Sequence, residues 1–338
     1  MKTKIIAAVA VSVLVIIIGI ALGSVFIPPE DIFSILLNRL FGVPLPEHIT
    51  SSSVNIMWTL RLPRTLLAFI AGGALSVSGA VMQSVLRNPL ASSYTLGVSS
   101  GASLGAGIVL LYGVTLPFAS MFALPLTGFV FGVATIFIVI AFSSRIDGRM
   151  ENNTIILTGM VLSLFINAIT SLLTALSREQ MQRLIVWQMG SFLARGWSSV
   201  LILAPLAVAG TIFILHFNRE LDMMTFGEEQ AQTMGVNMKK TKWIMLSSAA
   251  ALTGGVVSFT GIIGFVDLVS PHIVRRVFGS SHIYVIPLSA IFGGTFMVIC
   301  DLIARTVVSP SELPVGVVTA LIGAPFFAYV YFAKGRRR

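Results

Sequence analysis

Long apolar runs leave few folds open to this sequence. A helix crosses the hydrocarbon core of a bilayer with roughly 20 consecutive apolar residues. Only 10% of the 338 residues are charged and 56% are hydrophobic, whereas soluble domains carry roughly 25% charged residues. The sequence therefore predicts an all-α polytopic membrane protein. The clear candidate spans lie at 5–26, 65–83, 96–111, 119–142, 154–175, 199–217, 243–259, 284–304 and 315–332.

A weaker span at 262–278 brings the prediction to about ten. It contains Asp267, Pro271 and His272, and glycines interrupt its start. Such a broken helix is tolerated at membrane depth only where protein or a water-filled cavity covers its backbone, so these three residues are candidates for a pathway or gate. Asp267 is costly there without a partner. His272 has no nearby second His or Cys, so we interpret it as a hydrogen-bonded structural residue.

Basic residues predict the orientation, because Lys and Arg concentrate on the cytoplasmic side. With about ten spans and both termini cytoplasmic, most of the 22 Lys and Arg lie inside, including the basic tail at 334–338. The net charge of +9 is then mostly explained by the orientation of the chain in the membrane, and nucleic-acid binding is not expected. Orientation does not explain the seven arginines that this arrangement leaves on the outer side, which are Arg39, Arg61, Arg64, Arg178, Arg183, Arg195 and Arg305.

The longest charged segment, 218–242, separates two apolar runs and must lie in water. Its middle, 228–234, predicts a short helix that ends at Gly235, since glycine readily adopts the left-handed conformation found after helices. We interpret the segment as a cytoplasmic surface through which another protein does work on this chain.

Three outer arginines admit two interpretations each. Arg61 and Arg64 flank Pro63, which suits the first turn of a helix, and they either anchor the chain at the interface or bind a partner. Asp301 and Arg305 are four residues apart and share a helix face. They either neutralise each other or present charge to the exterior.

Glycines at four-residue spacing, Gly97, Gly101 and Gly105, predict close helix packing in lipid. The same stretch, Gly-Val-Ser-Ser-Gly, also matches the nucleophile elbow of serine hydrolases. That elbow needs a strand before its turn and a helix after it, and an apolar span lacks the strand. We therefore expect Ser99 to serve packing, with an intramembrane hydrolase as a remote alternative.

Motifs for catalysis are missing from the sequence. It has no phosphate-binding loop, no H-E-x-x-H and no C-x-x-C, and its single cysteine, Cys300, has no partner. We expect no metal, no cofactor and no enzymatic activity. A polytopic chain of this kind moves a substrate, and its energy comes from an ion gradient or from another polypeptide. Ionisable residues within the spans are few, which favours the polypeptide over a gradient-driven carrier.

Several motifs together resemble the FecCD-type permeases of ABC transporters, which import ferric siderophores, haem and cobalamin. The resemblance covers the chain after the first span. Its motifs are RLPR at 61–64, GAVMQ at 79–83, RNPLA at 87–91, LGVSSGA at 96–102, WQMGS at 187–191, SPHIVRR at 270–276, ELPVG at 312–316 and GAPFF at 323–327.

The resemblance implies one permease domain over 1–338 with a type II importer fold in a bacterial cell membrane. It also implies a second permease subunit, as a homodimer or heterodimer, two cytoplasmic ATPases and an extracytoplasmic substrate-binding protein or lipoprotein. Arg61, Arg64 and Arg305 would then face glutamates of that protein. The ATPase would hold a coupling helix whose residues are Gly227, Glu228, Glu229, Ala231, Met234, Gly235 and Val236.

Two positions depart from the family pattern. The family commonly has glycine where Asp267 stands, and an acidic residue with proline where Ser92 and Ser93 stand. Asp267 is either a charge that differs between the halves of a heterodimer or one compensated by an inner arginine such as Arg275. The expected cargo is a ferric siderophore, with haem and cobalamin as alternatives.

Overall fold

The computed structural model describes residues 2–23, 25–114, 122–148, 150–177, 180–193 and 195–335, with side chains as far as Tyr329. All regular elements in these residues are helical. They are α1 (Lys2–Ala21), α2 (Pro29–Phe41), α3 (Ser51–Asn55), a π-helical segment (Ile56–Arg61), α4 (Leu62–Val85), α5 (Val98–Tyr112), α6 (Ala123–Ile146), α7 (Asn152–Leu176), α8 (Met181–Gln188), α9 (Trp197–His216), α10 (Asn218–Thr225), α11 (Glu228–Thr233), α12 (Met238–Thr260), α13 (Val266–Phe278), α14 (His282–Thr306) and α15 (Val315–Gly335).

The predicted all-α membrane fold is confirmed. Among the described residues, 7 helices are long and apolar enough to cross a membrane. They are α1, the continuous stretch from α3 to α4, α6, α7, α9, α12 and α14. The other three predicted spans coincide with α5, α13 and α15, so a total of about ten crossings stays a prediction. Residue 119, the predicted start of one span, lies outside the described residues.

α4 forms the centre of the bundle. In its most apolar stretch 83% of the residues are buried, whereas the corresponding share is 22% in α1 and in α7, which lie at the periphery. α4 packs against α9, α12, α13 and α14. At its crossing with α14, a Cβ on Gly72 would lie 2.2 Å from the Gly293 carbonyl oxygen, and one on Gly293 would lie 2.4 Å from the Gly72 carbonyl oxygen. The two glycines thus allow direct backbone contact, and such close packing contributes to helix association in lipid.

Glycines of α5 lie against α6. A Cβ on Gly101 would lie 2.5 Å from the Phe131 carbonyl oxygen, and one on Gly105 would lie 2.5 Å from the Thr127 carbonyl oxygen. Gly97 precedes the helix with φ +93°, a conformation that glycine adopts without strain. The residues before Gly97 form turns, so the strand that a serine nucleophile elbow requires is missing from this described stretch.

The bundle has two polar ends, which we call the coupling end and the arginine end. The coupling end holds α10 and α11. Lys4, at the start of α1, lies there too, with its Nζ 3.5 Å from the Val277 carbonyl oxygen. The arginine end holds Arg61, Arg64 and Arg305. One helix length therefore separates the two predicted partner surfaces.

Candidate functional site

At the coupling end, α11 is a short helix held between two glycines in conformations that disfavour other residues. Gly227 has φ +124° and Gly235 has φ +92°. The Ala231 N–H donates to the Gly227 carbonyl oxygen at 2.9 Å, and the Val236 N–H donates to the Ala231 carbonyl oxygen at 3.0 Å. α11 ends at Thr233 with Met234 as its C-cap, as the sequence predicts to within one residue.

Buried and exposed side chains alternate along this segment. Ala231 and Val236 are buried and fix α11 to the bundle. Glu229 is exposed, and so are two large apolar side chains, Phe226 at 70% and Met234 at 46%. These two apolar side chains are therefore available for contact with another protein at the coupling end. Sequence reasoning missed Phe226, although an aromatic residue in a charged loop is itself a signal.

Lys242 ties α11 to two other parts of the coupling end. Its side chain is fully buried, and its Nζ donates to Glu228 Oε1 at 2.8 Å and to the Met150 carbonyl oxygen at 2.6 Å. Met150 belongs to the connection between α6 and α7. The Glu228 carboxylate is therefore held within this chain, which leaves Glu229 as the more available carboxylate on α11.

A chain of hydrogen bonds runs from α10 into the bundle. Asp222 Oδ1 accepts from the His282 N–H at 2.8 Å and lies 2.6 Å from His282 Nδ1. His282 Nε2 lies 2.6 Å from Ser84 Oγ, at the end of α4. Arg275 of α13 donates to Ser84 Oγ at 3.0 Å and also to Gln83. The chain joins α10 to α4, α13 and α14, and sequence reasoning found neither Asp222 nor His282.

The two departures from the family pattern meet in one contact. Ser92 Oγ donates a hydrogen bond to Asp267 Oδ2. The expected compensation of Asp267 by Arg275 is wrong for this chain, because Arg275 binds Gln83, Ser84 and a carbonyl of α4 instead.

Asp267, Pro271 and His272, the three pathway candidates, do not line the apolar cavity that lies next to α13. Asp267 and Pro271 are buried, and a Cβ on Gly79 of α4 would lie 1.9 Å from the Asp267 carbonyl oxygen. His272 is half-buried and lies edge to face with Phe327. Their pathway role stays a prediction. A cavity of about 440 Å³ is lined instead by residues just before α13, with α8 and α15, including Gln188, Ile262, Phe265, Val317 and Leu321.

At the arginine end, Arg64 lies between two carboxylates. Its Nε and Nη2 donate to Asp301 Oδ1 at 3.0 and 2.8 Å. Its Nη1 and Nη2 donate to Glu312 at 2.8 and 2.9 Å. The Arg64 side chain is 11% exposed and that of Asp301 is 2% exposed. Asp301 therefore pairs mainly with Arg64, while its predicted partner Arg305 lies farther away, with Nε 3.8 Å from Asp301 Oδ2.

Arg61 and Arg305 bind the end of α1. Arg61 Nη1 donates to the Ile20 and Ala21 carbonyl oxygens at 3.2 and 2.9 Å, and Arg305 donates to the Gly19 carbonyl oxygen. Both side chains are largely buried. α4 begins at Leu62 with Pro63 in its first turn, as the sequence predicts, and the π-helical segment and α3 extend the same helical stretch back to Ser51. Pro63 cannot donate to the residue four positions earlier, and the turn before it is π-helical.

All three arginines line one concave cavity of about 700 Å³. The α8–α9 connection contributes Phe192, Leu193 and Arg195 to its wall, and Glu312 also lines it. The structure thus brings the sequence-predicted arginines together. It also occupies them with partners from the same chain, a feature that their positions in the sequence do not reveal.

Known proteins match this chain along nearly its whole length. The profile of the FecCD transport family matches residues 11–333. The ABC transporter permease YvrB of Bacillus subtilis is 41% identical over 95% of this chain and 91% of its own. The cobalamin import permease BtuC of Halobacterium salinarum is 37% identical over 87% and 78%. The Fe(3+)-citrate import permease YfmE of Bacillus subtilis is 32% identical over 95% and 92%.

A solved structure of an ABC transporter in an inward-facing conformation shares the fold. It superimposes with a TM-score of 0.86, covers 98% of this chain and 100% of its own, and is 28% identical. The family profile, the relatives and the helical bundle agree. The chain belongs to the FecCD transport family and is the membrane permease of an ABC importer.

Proposed function

We propose that this chain forms one half of a membrane pathway that two cytoplasmic ATPases drive through the coupling end. The observation that carries this proposal is the position of α11, which lies between the exposed side chains of Phe226 and Met234 and is joined to the bundle by the buried Lys242 contact. ATP-driven closure of the ATPases moves α11. The hydrogen bonds from Asp222 to Ser84 then carry that motion to α4 and α14.

The arginine end receives the substrate-binding protein in this proposal. Arg61, Arg64 and Arg305 lie around one cavity, and charge on such a surface steers an acidic partner and sets its orientation. Arg64 already binds Glu312, which is 29% exposed. A carboxylate of the partner exchanges with Glu312 on docking, so Arg64 never loses its counter-charge.

The proposed cargo is a ferric siderophore carried across a bacterial cell membrane. Cobalamin and ferric citrate, named for two relatives, are both metal ions enclosed by an organic ligand. The cavity before α13 has a largely apolar lining, which suits a bulky chelate that few specific contacts hold. Selectivity then resides mainly in the substrate-binding protein.

Transport assays with the complete importer separate the possible cargoes. Proteoliposomes containing the permease, its ATPase and the substrate-binding protein are given a ferric siderophore, haem or cobalamin together with ATP. We expect the siderophore to accumulate. Accumulation of haem or cobalamin alone would show that the proposed cargo is wrong but that the chain is still part of an importer. Failure with all three would contradict the proposal.

Phe226 is predicted to contribute most to ATPase binding among the exposed side chains of the coupling end. Truncation of a buried aromatic anchor at an interface costs about 2 kcal/mol or more. Phe226→Ala should therefore weaken ATPase copurification roughly 30-fold. Phe41→Ala is the matched control, because Phe41 is similarly exposed, at 75%, and lies outside the coupling end. Equal copurification of the two variants would exclude Phe226 from the interface.

A further inference from the structure

Within the part of the chain that the structure describes, Arg195 is the arginine of the arginine-end cavity that has no hydrogen-bonded or ion-paired partner. Among the described residues, no hydrogen-bond acceptor pairs with its Nε, which is itself buried. No carboxylate of this chain forms a salt bridge with it within the same residues. Arg61, Arg64 and Arg305, by contrast, are held by carbonyl oxygens or carboxylates.

Described residues on both sides of Arg195 bind other helices. On one side, the Ser191 N–H donates to the Thr260 carbonyl oxygen at 2.8 Å. On the other side, Trp197 Nε1 donates to the Trp58 carbonyl oxygen at 2.9 Å, and the two indole rings lie 5.2 Å apart. Arg195 is thus presented to the cavity from a connection that is fixed on both sides.

Electrostatics make this position favourable for an incoming anion. Burial without a counter-ion lowers the pKa of Arg195 from its ordinary value, although a guanidinium remains protonated at neutral pH. A carboxylate that binds Arg195 breaks no existing bond. A carboxylate that binds Arg64 must first displace Asp301 or Glu312. A carboxylate therefore binds Arg195 at a lower cost in broken bonds than it binds Arg64.

We propose that Arg195 makes the first ionic contact with an acidic side chain of the substrate-binding protein. This inference rests on the proposed docking at the arginine end. Association begins at Arg195, and the exchange at Arg64 follows. A protein carboxylate is favoured over anionic cargo because Arg195 lines the cavity at the arginine end, while the cavity beside α13 is a separate one.

The test measures binding of the purified substrate-binding protein to the permease–ATPase complex in nanodiscs at low and high salt. Arg195→Glu should weaken binding at least about tenfold, mainly through a slower association rate, and should reduce the salt dependence. Arg195→Lys should restore most of the affinity. Arg183→Glu is the control, since Arg183 is exposed on α8 and is not among the residues that line the cavity.

Each outcome decides a separate claim. Failure of the wild-type complex to bind the protein would overturn the docking proposal itself. Wild-type binding with equal affinities for Arg195→Glu and Arg183→Glu would overturn only the role of Arg195. Unchanged affinity with reduced cargo uptake would assign Arg195 to the cargo and also overturn it. Arg195→Ala should melt close to the wild-type temperature, because the described residues contain no hydrogen-bond or ion-pair partner of Arg195 that the substitution would release.

Discussion

Lys242→Met is expected to uncouple transport from ATP hydrolysis. The substitution preserves much of the apolar stem and removes the ammonium that holds Glu228 and the Met150 carbonyl oxygen together. Removing one partner of a buried pair costs about 3–5 kcal/mol. Glu228 is 26% exposed, so water offsets part of this cost. We therefore expect the substitution to lower the free energy of unfolding by about 3 kcal/mol. Uptake per ATP hydrolysed should fall at least tenfold.

The measurement uses proteoliposomes in which cargo uptake and phosphate release are followed together. Lys240→Met is the matched control. Lys240 is exposed, lies on the same helix two residues earlier, and forms no salt bridge within the described residues; its variant should stay within about twofold of wild type, as surface charges contribute little. Unchanged uptake per ATP in Lys242→Met would show that this contact does not transmit the motion.

Asp301→Ala is expected to be the most destabilising single change at the arginine end. It leaves Arg64 with one carboxylate instead of two and removes the acid nearest to Arg305. Arg64 then keeps only Glu312, and the largely buried Arg305 loses its nearest counter-charge, which together cost roughly 3–5 kcal/mol of unfolding free energy. Thermal unfolding of the purified permease in detergent should report the loss as a clearly lower midpoint.

Glu312→Gln provides the comparison. Glu312 is more exposed than Asp301, and the glutamine can still accept from Arg64, so the change should cost about 1 kcal/mol or less. If Asp301→Ala unfolded at the same temperature as Glu312→Gln, the paired carboxylates would not be structural. The arginines would then be free to bind a partner without any exchange.

Local features of this protein could be predicted from its sequence. Gly235 predicts the end of the short helix at the coupling end, and α11 ends at Thr233 in the structure. The apolar runs gave the all-α membrane fold, since spanning length is a local property. Gly101 and Gly105 likewise lie where backbones approach closely.

Pairings between distant residues could not be predicted. Arg64 and Asp301 are separated by 237 positions, and the i,i+4 spacing pointed to Arg305 instead. The same limitation hid the bond between Ser92 and Asp267, which a search along one helix cannot find. Asp222 looked like an ordinary solvated charge, whereas the fold places it on His282. Each of these contacts depends on which helices neighbour α4.

The source of energy is the central claim, and reconstitution tests it directly. Liposomes containing only this chain receive an imposed ion gradient and a labelled ferric siderophore, and parallel liposomes also contain the partner ATPase, the substrate-binding protein and ATP. We predict accumulation against a gradient only in the second set. Uphill accumulation by the chain alone, abolished by an ionophore and indifferent to ATP, would contradict the account.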